Sequence, residues 1–388
     1  MTDKQVLPIL RVGFRPFFLL AGIASLVLMF VWGGLTAHGV FPSNYYNPVN
    51  WHAHEMLYGY AVAVFSGFLL TAVKNWTGRA TAEGVKLAVL ASIWLLGRMV
   101  VFFDDVLPHE LIAIVDLAFL PCLIGYLVVP IWQQRMFKNL PVIFLLSCFF
   151  GANLAFHLGI LNVITVNGSQ LMQFVVGVML VFIGLIAGRV FPFFIRAGSK
   201  GCQPVTWRFI EWLSMLSLLV LLVLKPFYYG SMGFLVVSVI AMASHTVRLT
   251  GWFSVKAVKV PLIGVLFAGY GWLIVGISLD FLAALNLVSP LLATHAMTAG
   301  AIGVLTLGMM SRVSLGHTGR TIQAPKVITA AFVIINIAVL FRVIVPLVDP
   351  LNYMRWLTVA SGLWVLAFVL FTSYFAPILL RRRVDEDS

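Results

Sequence analysis

Trp51-His52-Ala53-His54-Glu55-Met56 stands at the mouth of a long apolar run, Leu57 to Val73. Two imidazoles and a carboxylate at the edge of hydrocarbon are costly unless something binds them. Imidazole is the usual ligand for haem iron and for copper. The stretch therefore reads as the start of a membrane-spanning helix that carries metal ligands into a helical bundle.

The rest of the chain supports that setting. Of 388 residues, 61% are hydrophobic and only 10% charged, and the mean hydropathy is +1.03. A soluble domain carries roughly 25% charged residues, so most of this chain belongs in lipid. The net charge of +12 would suggest nucleic acid in a soluble protein. Here the basic residues fall between apolar runs, with no arginine-rich groove and interleaved aromatics, and nucleic-acid binding is rejected. Cys122, Cys148 and Cys202 form no Cys-x-x-Cys pair, which argues against a thiolate metal site or a structural disulfide. The first apolar run, from near Phe17, is long enough to span and is expected to be retained.

At ~20 residues per crossing, the pattern gives an all-α polytopic transmembrane bundle of about twelve helices, a single integral domain over 1–388 with short tails 1–16 and 380–388. The helices are expected at Phe17–Ala37, Glu55–Val73, Val85–Phe103, Leu111–Ile131, Pro141–Leu161, Leu171–Val190, Ile210–Tyr228, Met232–Phe253, Leu262–Leu282, Leu291–Met310, Val327–Val345 and Tyr353–Leu379. Basic residues alternate from loop to loop. The N-terminus (Lys4, Arg11, Arg15), the even-numbered loops (Lys74, Arg79, Lys86, then Arg135, Lys138, then Arg189, Arg196, Lys200, Arg208, and so on) and the C-terminus hold all but Arg98, Lys225, Arg342 and Arg355. That side is expected to be the cytoplasm, with both termini in it.

On this topology the polar residues gather on the outer side. His52, His54 and Glu55 begin the second helix; His109, Glu110 and Asp116 begin the fourth. His157 ends the fifth, Asp280 ends the ninth, and His295 lies about one turn into the tenth. Side chains from separate helices are how bundle cores build metal sites. His245 and His317 fall on the inner side, and His38 ends the first helix where water can reach it.

Each candidate has a plainer alternative. His52 and His54 point ~200° apart on a regular helix, so one straight helix cannot bring both to one ion. The plainer alternative is a pair of interfacial residues bonded to headgroups or loops, which ranks behind a functional role because buried ionisable groups in a membrane are functional by default. His157 follows Asn153 by one turn and is either a ligand or a helix-end histidine reaching water. Small residues around His295, including Gly300 and Gly303, admit a flat cofactor or merely another helix. His245 shares a face with Arg248, which suits a neutral ligand, a hydrogen-bond donor or a headgroup anchor. His317 lies in Ser314-Leu315-Gly316-His317-Thr318-Gly319-Arg320, a glycine-bearing turn. Gly184 and Gly188 read as helix packing. No phosphate-binding loop, dinucleotide fingerprint or Ser-His-Asp set is present.

Several stretches together resemble the NnrS family of bacterial inner-membrane proteins, over nearly the whole length. They are Arg11-Val12-Gly13-Phe14-Arg15-Pro16-Phe17-Phe18, Trp51 to Met56, Gly67 to Gly78, His245-Thr246-Val247-Arg248 and Gly308 to Arg320. The resemblance implies a multi-pass inner-membrane protein with haem (b-type) and copper, linked to nitric oxide and nitrosative stress. Nitric oxide would be the small-molecule ligand, membrane lipid the surroundings, and metal-dependent redox chemistry an expectation. The haem candidates are His52, His54, His245 and His295; the metal candidates are His52, His54, His157, His295 and His317, with Met56 or Glu55 as further copper ligands. The competing expectation is a proton-coupled secondary transporter using Glu55, Asp116 and Asp280. A carrier should show internal repeats, and the sequence offers no convincing match between its halves, nor a matched pair of broken helices. A metal sensor signalling through loops such as Gly316–Arg320 ranks behind both.

Overall fold

The computed structural model describes residues 6–39, 41–42, 45–199 and 201–386, and contains no strand among them. Lys4 and Lys200, two of the expected cytoplasmic charges, lie outside the described residues. The helices are α1 (Phe14–His38), α2 (Pro48–Thr77), α3 (Val85–Val100), α4 (His109–Gln133), α5 (Phe137–Ile160), α6 (Gly168–Gly198), α7 (Arg208–Phe227), α8 (Met232–Trp252), α9 (Pro261–Ala284), α10 (Pro290–His317), α11 (Lys326–Val348) and α12 (Pro350–Leu380).

Eleven of them are long and apolar enough to cross a membrane. The exception is α3, expected to reach Phe103. It has 16 residues, about 24 Å at 1.5 Å per residue. The chain turns at Val101, whose carbonyl is taken by the Tyr45 N–H at 2.8 Å, so Phe102 and Phe103 fall beyond the helix. Phe30, Phe144, Phe209 and Trp212 are exposed. Large apolar side chains facing outward on many helices suit hydrocarbon as the solvent.

α2 begins seven residues before the expected Glu55 because its start is set by a cap, not by hydropathy. The Asn47 side chain accepts the Asn50 N–H at 2.9 Å, and Pro48 fills the first turn, where no intrahelical N–H is required. His52 and His54 therefore lie inside the helix rather than at its mouth.

The chain divides into two compact units. The first comprises Met1–Val175, Gly316–Arg320 and Thr372–Ser388; the second comprises Val176–Leu315 and Thr321–Phe371. In the first, α1 packs along α2 where Gly67 leaves room: a Cβ there would lie 2.9 Å from the Phe18 ring. Buried Arg15 donates to the Leu379 carbonyl at 3.0 Å. In the second, α9 packs between α8 and α10.

Contrary to the sequence expectation, two helices are broken in the same way. α2 carries a π-helical segment at Glu55–Ala61 and α10 one at Ala296–Gly303. Each opens on a proline after a side-chain cap, Asn47-Pro48 and Ser289-Pro290. Each has a histidine at the α-to-π junction, His54 and His295. Gly59, Gly67 and Gly78 recur as Gly300, Gly308 and Gly319 at one constant spacing. The last pair takes the left-handed conformation that favours glycine, φ 67° and 75°. The next helices start in step, at Val85 and Lys326, and each bears an arginine at the end of its regular α segment, Arg98 in Val85–Val100 and Arg342 in Lys326–Val343, the second slightly beyond the constant spacing. A π segment inserts an extra residue per turn and is common at functional sites.

Close packing of α9 on the second π segment is testable. A Cβ on Gly276 would meet the Met297 side chain at 2.6 Å and its backbone nitrogen at 3.2 Å, whereas one on Gly271 meets nothing within 4 Å. Gly276→Leu is expected to cost about 1–3 kcal/mol through overpacking, read as a lower thermal midpoint in detergent. Gly271→Ala should leave the midpoint in place, and equal midpoints for the two variants would refute the contact.

Candidate metal centre

In the first unit, four helices send polar side chains to one buried point. α2 supplies His54 and Glu55 from the α-to-π junction, α3 supplies Arg98, α4 supplies Asp116, and α5 supplies Asn153 and His157. His54, Glu55, Asp116, Asn153 and His157 are all buried. Arg98 Nη1 donates to Glu55 Oε1 at 3.1 Å, and Nη2 pairs with Asp116 Oδ1. The other carboxylate oxygen, Asp116 Oδ2, accepts from Asn153 Nδ2 at 2.8 Å and lies 2.9 Å from His157 Nε2 and 3.5 Å from His54 Nε2. One ligand atom each from His54, Asp116 and His157 falls within 4.8 Å of the others. Two imidazoles and a carboxylate form a donor set suited to a first-row divalent ion.

Charge and proton accounting point the same way. Glu55 and Asp116 are faced by one guanidinium, and Glu55 Oε2 is buried with no hydrogen-bond partner. His54 has oxygen acceptors at both ring nitrogens: Glu55 Oε1 at 3.1 Å from Nδ1 and Asn153 Oδ1 at 2.9 Å from Nε2. Asn153 cannot turn around, because its amide nitrogen serves Asp116. The Tyr46 hydroxyl, 3.4 Å from the same Nε2, can donate to it, so with Nδ1–H directed at Glu55 the Nε2 lone pair is open to a proton or to a metal ion. Either supplies the missing positive charge. His157 differs: Nε2–H donates to Asp116, and Nδ1 lies 3.3 Å from the Tyr45 hydroxyl. Burial, reinforced by Glu110, pushes the Tyr45 phenol up to about 12, so it stays a neutral hydroxyl that can donate to or accept from His157 across the physiological range.

A cavity of about 10 Å³, the room for about one water, is lined by Tyr58, Arg98, Asp116 and Asn153 among others. A small ligand could reach an ion held by Asp116 there. A porphyrin does not fit: the Tyr46 and Tyr58 rings each stand 4.7 Å from the His54 ring, and Phe156 stacks at 5.8 Å.

The remaining candidate histidines do not join this cluster. His52 faces away from His54, stacked on Trp32 at 4.2 Å, as the ~200° offset of a regular helix requires. His317 lies by the Phe14 ring at 5.6 Å. In the second unit, His245 is buried with Nδ1 2.6 Å from the Tyr270 hydroxyl and Nε2 3.2 Å from the Ser214 carbonyl. Arg248 Nη1 donates to the same Tyr270 oxygen at 3.1 Å and its Nη2 pairs with Glu211, so both His245 nitrogens are engaged. His295 Nε2 is 3.1 Å from Arg342 Nη2.

Sequence reading noted Asp116 as an acid on the outer side and as a possible proton-coupled carboxylate, not as a metal ligand, and missed Arg98, Asn153 and Tyr45 as parts of a site. Two signals were available: Arg98 departs from the positive-inside pattern, and Asn153 lies one turn before His157.

The family model described as NnrS protein matches residues 8–383 of the chain. No curated protein matches it.

Removing Arg98 tests the charge balance. Arg98→Ala leaves two buried carboxylates without their cation, and is expected to cost about 3–5 kcal/mol, seen as a lower thermal midpoint. Adding Glu55→Gln in the same chain should recover part of that loss. No recovery would show that the pair is not coupled.

Proposed function

The chain belongs to the NnrS family, and on that premise we propose that it is a multi-pass metalloprotein of a bacterial inner membrane, serving the response to nitric oxide. The metal ion is held by His54, Asp116 and His157. The observation that carries the reading is the convergence of these three donors, all buried, within 4.8 Å, around a cluster short of one positive charge. The positive-inside distribution orients both chain ends to the cytoplasm and the His54 cluster to the periplasmic half.

Copper suits the donor set, and bound copper would supply one-electron chemistry. The residues then divide the remaining work. Arg98 holds Asp116 Oδ1, leaving Oδ2 directed at the two imidazoles. With an ion bound, His157 carries its proton on Nδ1 and donates it to the Tyr45 hydroxyl at 3.3 Å, which leaves the Nε2 lone pair facing the ion beside the same oxygen. Asn153 orients both His54 and Asp116. The cavity beside Asp116 admits a molecule of the size of water or nitric oxide and excludes larger ones. The haem implied by the family resemblance does not fit at His54, and His245 and His295 have both nitrogens engaged, so His52 is its remaining candidate.

A second reading, proton-coupled transport, is favoured by the matched pair of interrupted helices. Against it, each carboxylate it needs already has a cation: Glu55 and Asp116 share Arg98, and Asp280 pairs with Lys225 at 2.7 Å. Uptake of solute into liposomes by metal-free protein would promote this reading.

The test is metal content and optical spectrum of protein purified in mild detergent after expression with adequate copper and iron. Stoichiometric copper is expected in the wild type. His54→Ala and His157→Ala should each lower affinity by at least about tenfold, since each removes one of three protein donors, whereas His52→Ala should retain it. Copper that survives both His54→Ala and His157→Ala would overturn the assignment.

A further inference from the structure

The second interrupted helix repeats the frame of the first but lacks its acids. Arg98, at the end of α3, lies between Glu55 and Asp116. Arg342 occupies the last turn of the regular segment Lys326–Val343 of α11 and is only 8% exposed. Where Glu55 follows the junction histidine in α2, Ala296 and Met297 follow His295 in α10. Among the described residues, no carboxylate forms an ion pair with Arg342. Asp349, just beyond α11, is taken up by Asn352 at 2.9 Å and by the Trp356 indole N–H at 3.0 Å.

The neighbours of Arg342 are neutral. His295 Nδ1 lies 2.8 Å from the Leu291 carbonyl and donates to it, and Arg342 Nη2 lies 3.2 Å from Nδ1 and 3.1 Å from Nε2. A guanidinium this close disfavours a second proton on the ring, so this imidazole carries no charge. The Tyr353 side chain, whose ring lies 5.5 Å from the guanidinium carbon, also hydrogen-bonds the guanidinium. Arg342 Nη1 is buried and has no hydrogen-bond partner. The other basic residues expected on the same side are provided for: Arg98 and Lys225 have carboxylates, and Arg355 is exposed. A buried cation with no counter-charge is strongly disfavoured.

We propose that Arg342, with His295 beside it, binds a small monovalent anion, which takes the place that Glu55 and Asp116 hold in the first unit. One guanidinium and a neutral imidazole supply a single positive charge, which sets the valence. The unpartnered Nη1 supplies the hydrogen bonds, and forked N–H donors suit halides and planar oxyanions. The half-buried His295 side gives access to ions, while the closed surroundings of the guanidinium favour a free anion over a lipid phosphate. The site is independent of the metal centre in the first unit.

The probe is bromide, titrated against gluconate at constant ionic strength, on full-length protein in a neutral maltoside detergent without added lipid. A saturable rise in thermal midpoint is expected for the wild type and for Arg355→Gln. Arg342→Gln should weaken the apparent affinity by at least about tenfold, the loss of a charge-assisted hydrogen bond. Anomalous diffraction at the bromine edge on the wild type keeps the proposal testable if that variant does not fold, and should place bromide beside Arg342 Nη1. Identical titrations for wild type and Arg342→Gln, or bromide density absent from Nη1, would overturn the proposal. So would a stabilisation produced by phosphatidylglycerol and not by bromide, which would assign the site to a lipid headgroup.

Discussion

Two carboxylates share one guanidinium inside a bundle whose outward surface is hydrocarbon-like, and that imbalance governs the first unit. Arg98 ties α3 to α2 through Glu55 and to α4 through Asp116. Asn153 and His157 then bring α5 onto the second oxygen of Asp116. Ionic contacts strengthen as water is excluded, and so does the cost of any charge left over. The leftover charge here is negative, and the place nearest to correct it is His54 Nε2, between Asn153 Oδ1 and Asp116 Oδ2. A proton there completes the fold, and a metal ion there completes it equally well. Packing and ligand binding are thus the same electrostatic requirement met by two different cations.

Much of the fold was legible because hydrocarbon thickness dictates segment length and apolar runs report it directly. The opposition of His52 and His54 was legible too, since 100° per residue sends one toward Trp32 and the other inward. The start of α2 was not, because Asn47 and Pro48 are polar or turn-like residues whose capping role hydropathy does not register. The π segments were hidden for a related reason: an extra residue in a uniformly apolar helix changes register without changing composition. Asp116 and Arg98 could be placed on one and the same side of the bundle, but their meeting depends on the rotation of α3 and α4 about their axes. In helices apolar around much of their circumference, little in the sequence fixes that rotation.

The repeat was missed because its two copies agree where side chains are smallest. Gly59, Gly67 and Gly78 match Gly300, Gly308 and Gly319, and Pro48 matches Pro290, whereas the residues between them scarcely correspond. Gly67 faces the Phe18 ring and Gly308 faces Val265, so the recurring glycines are where a neighbouring helix comes close. Backbone constraints of this kind tolerate almost any apolar residue elsewhere, which erases the resemblance from a residue-by-residue comparison.

What the copies do not share is the charge at the junction, and this is where their chemistry must differ. In α2 the junction histidine is followed by Glu55 and answered by Asp116, giving a pocket that is negative apart from Arg98. In α10 the same turn offers His295 followed by apolar residues, and the arginine of the next helix meets only neutral groups. One frame therefore presents a site in need of a cation and another in need of an anion. Because the frame depends on glycines and capped prolines rather than on the junction residues, either junction can change its ligand without rebuilding the helix that carries it.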